Sequence, residues 1–143
     1  MPDLTGQVTL LTGAAGGIGS AIAKAFVAEG SSVVLIDTHV TKLEAVSETI
    51  KHQNKRANVL IARGDVTKTA ELEEAVTRTL EHFGKLTTLV NAVGILLTGT
   101  LGEMTEDTWD KIMAVNVKGV FLACRAAAPA IAKAGGGAII NLS

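Results

Sequence analysis

A glycine-rich turn near the N-terminus limits what this chain can fold into more than any other stretch. Residues 12–19 follow an apolar run at 8–11 and lead into a segment whose apolar residues have helical spacing, at Ile18, Ile22 and Phe26. A strand, a glycine turn and a helix in this order aim backbone N–H groups at a phosphate. The segment therefore predicts a phosphate-binding turn, and the alternative is a turn that serves only helix–sheet packing.

The spacing of this turn differs from the strict G-x-G-x-x-G pattern of dinucleotide sites. Gly13, Gly17 and Gly19 follow the pattern G-x-x-x-G-x-G instead. Glycine adopts turn conformations that a Cβ forbids, and it lets the backbone come close to a ligand. The turn alone is a weak signal, so residues further along the chain must decide between a ligand site and a packing turn.

Strand-like and helix-like segments alternate along the rest of the chain. Predicted strands lie at 7–12, 32–36, 58–62, 87–91 and 138–143. Predicted helices lie at 17–29, 40–53, 69–83 and 108–133, the last preceded by an N-cap at Thr105. Gly119 and Pro129 are expected to bend or divide that last helix. The unbroken apolar runs of the strands, the fifth included, predict burial on both faces of the sheet.

This alternation predicts parallel βαβ units and hence one α/β domain over 1–143. We expect three layers, with a doubly wound parallel sheet of strand order 3-2-1-4-5 between two layers of helices. A ligand crevice would then lie at the carboxyl ends of strands 1 and 4, where the strand order reverses.

Composition and charge narrow the classes of function. The net charge of −1 gives no reason to expect nucleic acid or an anionic membrane as a partner. The N-terminus lacks the pattern of a signal peptide, and no apolar run suggests a membrane span. Cys124 is the only cysteine, so an internal disulfide cannot form. We expect a cytoplasmic protein, and the sequence predicts no metal site.

Asp37 closes the second predicted strand and favours one cofactor over another. A carboxylate at this place accepts hydrogen bonds from an adenosine ribose and repels a 2′-phosphate. Thr38 and His39 follow it, so no Arg or Lys is ready to neutralise that phosphate. NAD is therefore favoured over NADP, the alternative being a carboxylate that only begins a loop. His39 itself is predicted to be a solvated loop residue.

Three further polar residues each have a functional and a structural interpretation. Asp65 either accepts a hydrogen bond from an adenine amino group or organises the turn into the next helix. Asn91 either ties a loop beside a flat ligand or forms a strand-end turn. Asn116 lies among apolar residues of the long helix, and a buried amide must find partners. In the functional interpretation, Asn116 binds a water or the backbone of a bent helix near a catalytic centre. In the structural interpretation, it is a core amide that binds only backbone groups.

Together these residues resemble the short-chain dehydrogenase/reductase family over essentially the whole chain. The resemblance is carried by Thr12, Gly13, Gly17, Ile18, Gly19, Asp37, Asp65, Val66, Asn91, Ala92, Val93, Gly94, Trp109, Asp110, Asn116, Val117 and Gly119. Residues 137–143 also resemble the family's fifth strand. Where the family often has Asn-Asn-Ala-Gly, Ala92 removes the second amide and Val93 is bulkier.

The resemblance implies a role for each of these groups. The implied contacts are Gly13, Gly17, Ile18 and Gly19 at the dinucleotide, Asp37 at the ribose, Asp65 and Val66 at the adenine, and Asn91, Ala92 and Gly94 along the cofactor path. Asn116 matches the family's Asn that holds a water in the proton relay, and it is the catalytic residue implied for this chain.

The family's remaining catalytic residues, a Ser and a Tyr-x-x-x-Lys pair, lie beyond the fifth strand. Ser143 aligns as the neighbour of that Ser, and a shift of one residue would make it the Ser itself. The chain contains no tyrosine. We therefore expect the N-terminal, cofactor-binding part of a longer enzyme, truncated after strand 5 and not catalytic alone.

The resemblance implies NAD(H)-dependent oxidation of an alcohol, or reduction of a carbonyl, by a homo-oligomeric parent enzyme. One alternative is a non-catalytic NAD-binding module, or one half of a two-chain assembly. Another is a methyltransferase, which also places a glycine turn after strand 1 and an acid after strand 2. Asn91 and Asn116, with the spacing of the glycine turn, argue against that alternative.

Overall fold

The computed structural model describes residues 3–143 and contains a single parallel sheet. Its strands are β1 (Val8–Thr12), β2 (Ser32–Asp37), β3 (Val59–Arg63), β4 (Thr88–Asn91) and β5 (Ala138–Asn141). They are ordered β3-β2-β1-β4-β5, and every neighbouring pair is parallel. The predicted strand order is therefore confirmed.

Helices connect the strands as the apolar spacing predicts. They are α1 (Gly17–Ala28), α2 (Val40–Gln53), α3 (Thr69–Phe83), α4 (Glu106–Met113) and α5 (Gly119–Lys133). The ends of the predicted elements lie within two residues of the observed ones, and more than half of them coincide. Thr105 caps α4, since its Oγ1 accepts a hydrogen bond from the Thr108 N–H at 3.1 Å.

The sheet is covered on both faces, which gives the predicted three layers. Alternate residues of β1 and β2 point to opposite sides. Leu10 and Val34 pack with α3 and α5, and Leu11 and Leu35 pack with α1 and α2. These four side chains are at most 1 % exposed. The continuous apolar runs of the strands thus reflect burial on both faces.

The two edge strands are less buried: β3 is mostly half-buried, and the prediction that the fifth strand is buried is wrong. All four residues of β5 are exposed, and Ile139 and Ile140 are each 41 % exposed. The strand pairs with β4 on one side and has no hydrogen-bonded strand on the other within residues 3–143. An apolar run therefore does not distinguish a central strand from an edge strand.

The long helix after β4 is divided, although not at Pro129. A π-helical turn over Ala114–Lys118 separates α4 from α5, and α5 continues through Pro129. Gly119 begins α5, where a Cβ would lie 2.7 Å from Val66 Cγ2. The predicted division at Gly119 thus falls at the π-helical turn, and glycine there lets α5 lie close to the segment after β3.

The whole helical stretch Glu106–Lys133 is 28 residues long and apolar enough, by length and composition, to cross a bilayer. Its second half instead packs on the sheet, where Leu122, Ala123, Ala127 and Ile131 are buried. The core helix of a water-soluble fold meets the same criteria of length and composition, so they do not indicate a membrane span here.

Candidate cofactor site

Two adjoining cavities open at the carboxyl ends of the central strands. The larger, of about 290 Å³, lies between the glycine turn, the end of β2 and the segment after β4. The smaller, of about 190 Å³, extends toward the segment after β3. Both are lined by Gly13, Asp37, Thr38, Val93 and Ile95. They therefore form one continuous crevice where the strand order reverses, as the sequence predicts.

Gly13 shapes the floor of this crevice. Its φ of +71° lies in the left-handed region that favours glycine. A Cβ at this position would lie 2.7 Å from the Ala92 carbonyl O and from Val93 N. Gly13 therefore allows the turn after β1 to pass directly against the segment after β4. This close contact holds Ala92 at the wall of the larger cavity.

Gly17 and Gly19 serve different purposes at the start of α1. A Cβ on Gly19 would overlap the Gly13 carbonyl O, so this glycine is required for packing of the turn itself. A Cβ on Gly17 would meet nothing within 4 Å, so packing of the chain does not require glycine there. Gly17 thus leaves open space beside the helix N-terminus, which suits close approach of a ligand.

The N-terminus of α1 has the properties of an anion site. Gly16 precedes the helix with no side-chain cap, and the first turn contains no acidic residue. Helix N-termini present unpaired N–H groups and the positive end of the helix dipole. Ile18, in this first turn, is 66 % exposed. The arrangement can accept a phosphate group without displacing a side chain.

Asp37 connects the end of β2 to the glycine turn. Its Oδ2 accepts a hydrogen bond from the Ala15 N–H at 3.1 Å, and its Oδ1 accepts from the His39 N–H at 3.1 Å. His39 Nδ1 also lies 3.1 Å from Oδ1. Burial raises the pKa of this carboxyl, but the hydrogen bonds from His39 and Ala15 together lower it by more. The pKa therefore lies below its ordinary value. Asp37 is therefore a carboxylate at neutral pH.

Asp65 organises the turn into α3, and it also lines the smaller cavity. Its Oδ1 accepts hydrogen bonds from the Thr67 N–H at 2.8 Å and from Thr67 Oγ1 at 2.7 Å. Its own N–H donates to Glu71 Oε2 at 2.7 Å. Val66 lines the same cavity. The two interpretations of Asp65 are thus compatible, because the turn it stabilises holds it at the crevice.

Asn91 lies beneath the crevice and does not line either cavity. It is 1 % exposed. Its Nδ2 donates to Asn141 Oδ1 at 2.8 Å and lies 3.6 Å from Cys124 Sγ, while Thr12 Oγ1 donates to Asn91 Oδ1 at 3.4 Å. The side chain thus joins the ends of β1, β4 and β5. It supports the segment containing Ala92 and Gly94, both of which line the larger cavity.

Asn116 lies in the π-helical turn and binds the same segment from the other side. Its Nδ2 donates to the Ile95 carbonyl O at 2.8 Å, and its Oδ1 accepts from the Ile95 N–H at 2.8 Å. A Cβ on Gly94 would come within 3.7 Å of that oxygen. Asn116 therefore has backbone partners, and its described hydrogen bonds position the loop after β4.

Comparison with known proteins agrees with this geometry. A family model described as short chain dehydrogenase matches residues 7–143. The chain belongs to the short-chain dehydrogenase family. Members of this family generally use a nicotinamide dinucleotide, NAD or NADP, and act on small molecules.

Individual members of the family match nearly all of this chain but are considerably longer. A 2,5-dichloro-2,5-cyclohexadiene-1,4-diol dehydrogenase of Sphingobium indicum is 40 % identical over 140 residues, which are 98 % of this chain and 55 % of that protein. A 2-(R)-hydroxypropyl-CoM dehydrogenase of Xanthobacter autotrophicus is 38 % identical, over 96 % of this chain and 56 % of that protein. The chain thus spans about half the length of these relatives.

Solved structures show the same fold. The crystal structure of levodione reductase superimposes with a TM-score of 0.92 at 32 % identity, covering 96 % of this chain and 54 % of that one. A dehydrogenase/reductase from Sinorhizobium meliloti gives a TM-score of 0.90 at 33 % identity, over 97 % and 54 %. The sheet and helices of this chain are therefore those of the short-chain dehydrogenase fold.

Several residues at the short-chain dehydrogenase crevice were not predicted from the sequence. Thr38, His39 and Lys42 line the larger cavity beside Asp37, and Ala15 and Gly16 complete its wall. His39 is exposed, as predicted, but it also contacts Asp37. The available signal was proximity in sequence, since Thr38, His39 and Lys42 all lie within five residues after Asp37. Among the described residues no group of three or more His, Cys, Asp or Glu is arranged to hold a metal ion.

Proposed function

We propose that this chain is the NAD(H)-binding part of a short-chain dehydrogenase that transfers hydride between nicotinamide and an alcohol or carbonyl substrate. The observation that carries the proposal is the contact between Asp37 and the glycine turn, made by the Ala15 N–H and Asp37 Oδ2 at 3.1 Å. This contact places a carboxylate beside an uncapped helix N-terminus. A dinucleotide needs both features, one for its ribose hydroxyls and the other for its pyrophosphate.

The residues present fit such a cofactor. Gly13, Gly17, Ile18 and Gly19 form the turn that would hold the pyrophosphate, and Asp37 would accept hydrogen bonds from the adenosine ribose. Asp65 and Val66, at the smaller cavity, would contact the adenine. Ala92 and Gly94 would line the path of the cofactor, with Asn91 supporting them from below. When bound, a nicotinamide dinucleotide supplies or accepts the hydride.

The preference for NAD over NADP rests on charge. Asp37 is ionised at neutral pH, since its hydrogen bonds hold its pKa below the ordinary value. A carboxylate repels a 2′-phosphate and favours a free 2′-hydroxyl. The nearest cation in sequence is Lys42, which lines the cavity from α2 and makes no ion pair with Asp37 within residues 3–143.

Asn116 is proposed to serve the proton relay of the full-length enzyme, in addition to holding Ile95. Both of its polar atoms already bond the Ile95 backbone. An amide oxygen has a second acceptor position and an amide nitrogen a second donor, so a water can still bind. The chain has no tyrosine to act as the family's general acid or base. We therefore expect cofactor binding without turnover from these 143 residues, with Ser143 at or next to the catalytic Ser.

An apolar stripe on the long helix is proposed as an oligomer interface of the parent enzyme. Trp109, Val117 and Phe121 are between 54 % and 57 % exposed, and Met113 is 37 % exposed. They recur every four residues and so lie on one side of the helix.

We also propose a cytoplasmic location, in keeping with the soluble character typical of the family. Cell fractionation tests this proposal.

Calorimetric titration of the 143-residue chain tests the proposed function. NADH is expected to bind at least about tenfold more tightly than NADPH, a difference that corresponds to about 1.4 kcal/mol. Asp37→Asn is expected to weaken NADH binding and to remove most of the preference. Glu44→Gln, an equal change of charge on the exposed side of α2, is the control and is expected to bind like the parent chain.

Two results would contradict the proposal. A folded chain that bound neither dinucleotide would show that the crevice is not a nucleotide site. Preferential binding of S-adenosylmethionine would favour a methyltransferase. Binding without turnover, restored to turnover by a chain that supplies the missing Tyr and Lys, would instead support the alternative of a two-chain assembly.

A further inference from the structure

The carboxylate of Asp37 is already engaged by protein donors. Oδ1 accepts from the His39 N–H at 3.1 Å and lies 3.1 Å from His39 Nδ1, while Oδ2 accepts from the Ala15 N–H at 3.1 Å. A carboxylate offers about four acceptor positions. One position therefore remains on Oδ2, whereas both positions on Oδ1 face His39.

A ribose with two free hydroxyls needs more than the one remaining position. If one hydroxyl donates to each oxygen, one of the contacts at Oδ1 has to give way. The His39 N–H is fixed by the backbone, because it lies only two residues from Asp37. The His39 ring is on a rotatable, exposed side chain, with 66 % of its surface accessible. The ring is thus the replaceable partner.

His39 is one of several basic residues next to Asp37 at the end of β2. His39 and Lys42 line the cavity from the start of α2. Arg63 is the register partner of Asp37 on β3. Lys and Arg keep their charge through the neutral range, and histidine is the side chain that changes charge between about pH 5 and 8. Asp37 stays ionised through that range because its pKa is below the ordinary value.

We propose that His39 is a specificity-determining residue whose protonation reduces the discrimination of this site between NAD(H) and NADP(H). The protonated ring holds Asp37 Oδ1 against the ribose hydroxyl and adds positive charge where a 2′-phosphate would lie. The neutral ring releases Oδ1 to the diol and adds no charge. The inference rests on the proposed function, since it requires that the ribose binds at Asp37.

Binding of NADH and of NADPH to the chain and to His39→Gln tests the inference. Dissociation constants are measured at about pH 5.5 and about pH 8, on either side of the range in which histidine changes charge. The 2′-phosphate of NADPH itself titrates near pH 6. For each protein we therefore take the ratio of the NADPH dissociation constant to the NADH dissociation constant, and the change of this ratio with pH. The difference in that change between the parent chain and His39→Gln isolates the effect of His39.

For the parent chain, that ratio is expected to fall between pH 8 and pH 5.5 by about two- to fivefold more than it does for His39→Gln, the size of effect that an exposed charge contact produces. His52→Gln, at the exposed end of α2, is the matched control and is expected to behave as the parent chain. His39→Asn, which is also neutral, is expected to reproduce the behaviour of His39→Gln.

The outcomes separate the inference from the proposed function. An equal pH dependence in the parent chain and both His39 variants, with NADH still bound, would overturn the role of His39 and leave the cofactor site intact. Failure to bind NADH at either pH, by a chain with a helical circular dichroism spectrum and cooperative unfolding, would overturn both. A pH dependence lost equally in His52→Gln would also contradict the inference, because it would place the titrating group elsewhere.

Discussion

Asn116 and Ile95 are joined by two hydrogen bonds of 2.8 Å each, from Asn116 Nδ2 to the Ile95 carbonyl O and from the Ile95 N–H to Asn116 Oδ1. The pair links the π-helical turn to the segment that follows β4. One side chain thus satisfies both backbone polar groups of a loop residue that lines the crevice. The position of this loop depends on a contact between residues 21 positions apart.

Replacing Asn116 by Leu is expected to destabilise the fold by about 1–3 kcal/mol, because the Ile95 N–H and C=O lose their partners in a half-buried position. Urea denaturation measures the change. Asn58→Ala, at an exposed position before β3, is the control and is expected to change stability by less than about 0.5 kcal/mol. Equal stability of Asn116→Leu and the parent chain would show that solvent replaces the amide at no cost.

The two glycines at the start of α1 are expected to respond differently to the same substitution. Gly19→Ala places a Cβ against the Gly13 carbonyl O and should destabilise the fold by about 2 kcal/mol or more, with loss of NADH binding. Gly17→Ala meets no atom within 4 Å and should leave stability unchanged or raised, because alanine favours a helix. Thermal unfolding and NADH titration measure both variants.

The Gly17→Ala variant tests whether the cofactor binds at the start of α1. If the pyrophosphate lies against Gly17, the added methyl should weaken NADH binding by about tenfold or more while the fold stays intact. Gly102→Ala, where a Cβ also meets nothing within 4 Å and which lines neither cavity, is the control and should affect neither property. Unchanged affinity in Gly17→Ala would place the cofactor away from this residue.

Acid stability should depend on Asp37. Its pKa in the folded chain is below the ordinary value, because hydrogen bonds from His39 and Ala15 outweigh the effect of burial, which raises the pKa. Such a carboxyl stabilises the fold fully above its unfolded pKa of about 3.9, and the contribution is lost as the pH falls through the folded pKa. The melting temperature of the parent chain should therefore exceed that of Asp37→Asn at neutral pH.

That difference in melting temperature should narrow as the pH falls below about 3.9, where the unfolded chain binds a proton at this carboxyl, and it should disappear as the pH falls through the lower pKa of the folded chain. Glu44→Gln, on the exposed face of α2, should follow the parent chain throughout. A difference between Asp37→Asn and the parent chain that stayed constant across this range would mean that the amide changes stability by another route, such as altered packing of the glycine turn.

The apolar stripe on the long helix should promote self-association. Phe121→Glu is expected to weaken concentration-dependent association in sedimentation equilibrium, because it places a charge among Trp109, Met113 and Val117. Thr77→Glu makes a similar change on the exposed face of α3 and should leave association unchanged. Equal association of both variants would point to another contact, with the exposed edge of β5 as the next surface to test.

The architecture and the location of the crevice could be read from the sequence. Glycines at 13, 17 and 19 between an apolar run and a helical pattern predict the turn, and alternating strands and helices predict the sheet order. These signals are local, since they depend on backbone conformation and on spacing within one element. Asp37 was found in the same way, because a charged residue that ends a buried strand stands out from the apolar run before it.

Contacts between distant residues required the tertiary structure. Nothing in the pattern of β5 distinguishes it from a central strand, because burial depends on what lies beside the strand. The partners of Asn91 and Asn116 come from other strands and from a loop, so the sequence could indicate only that the amides need partners. His39 resembles a solvated loop residue until folding places its ring 3.1 Å from the carboxylate of Asp37.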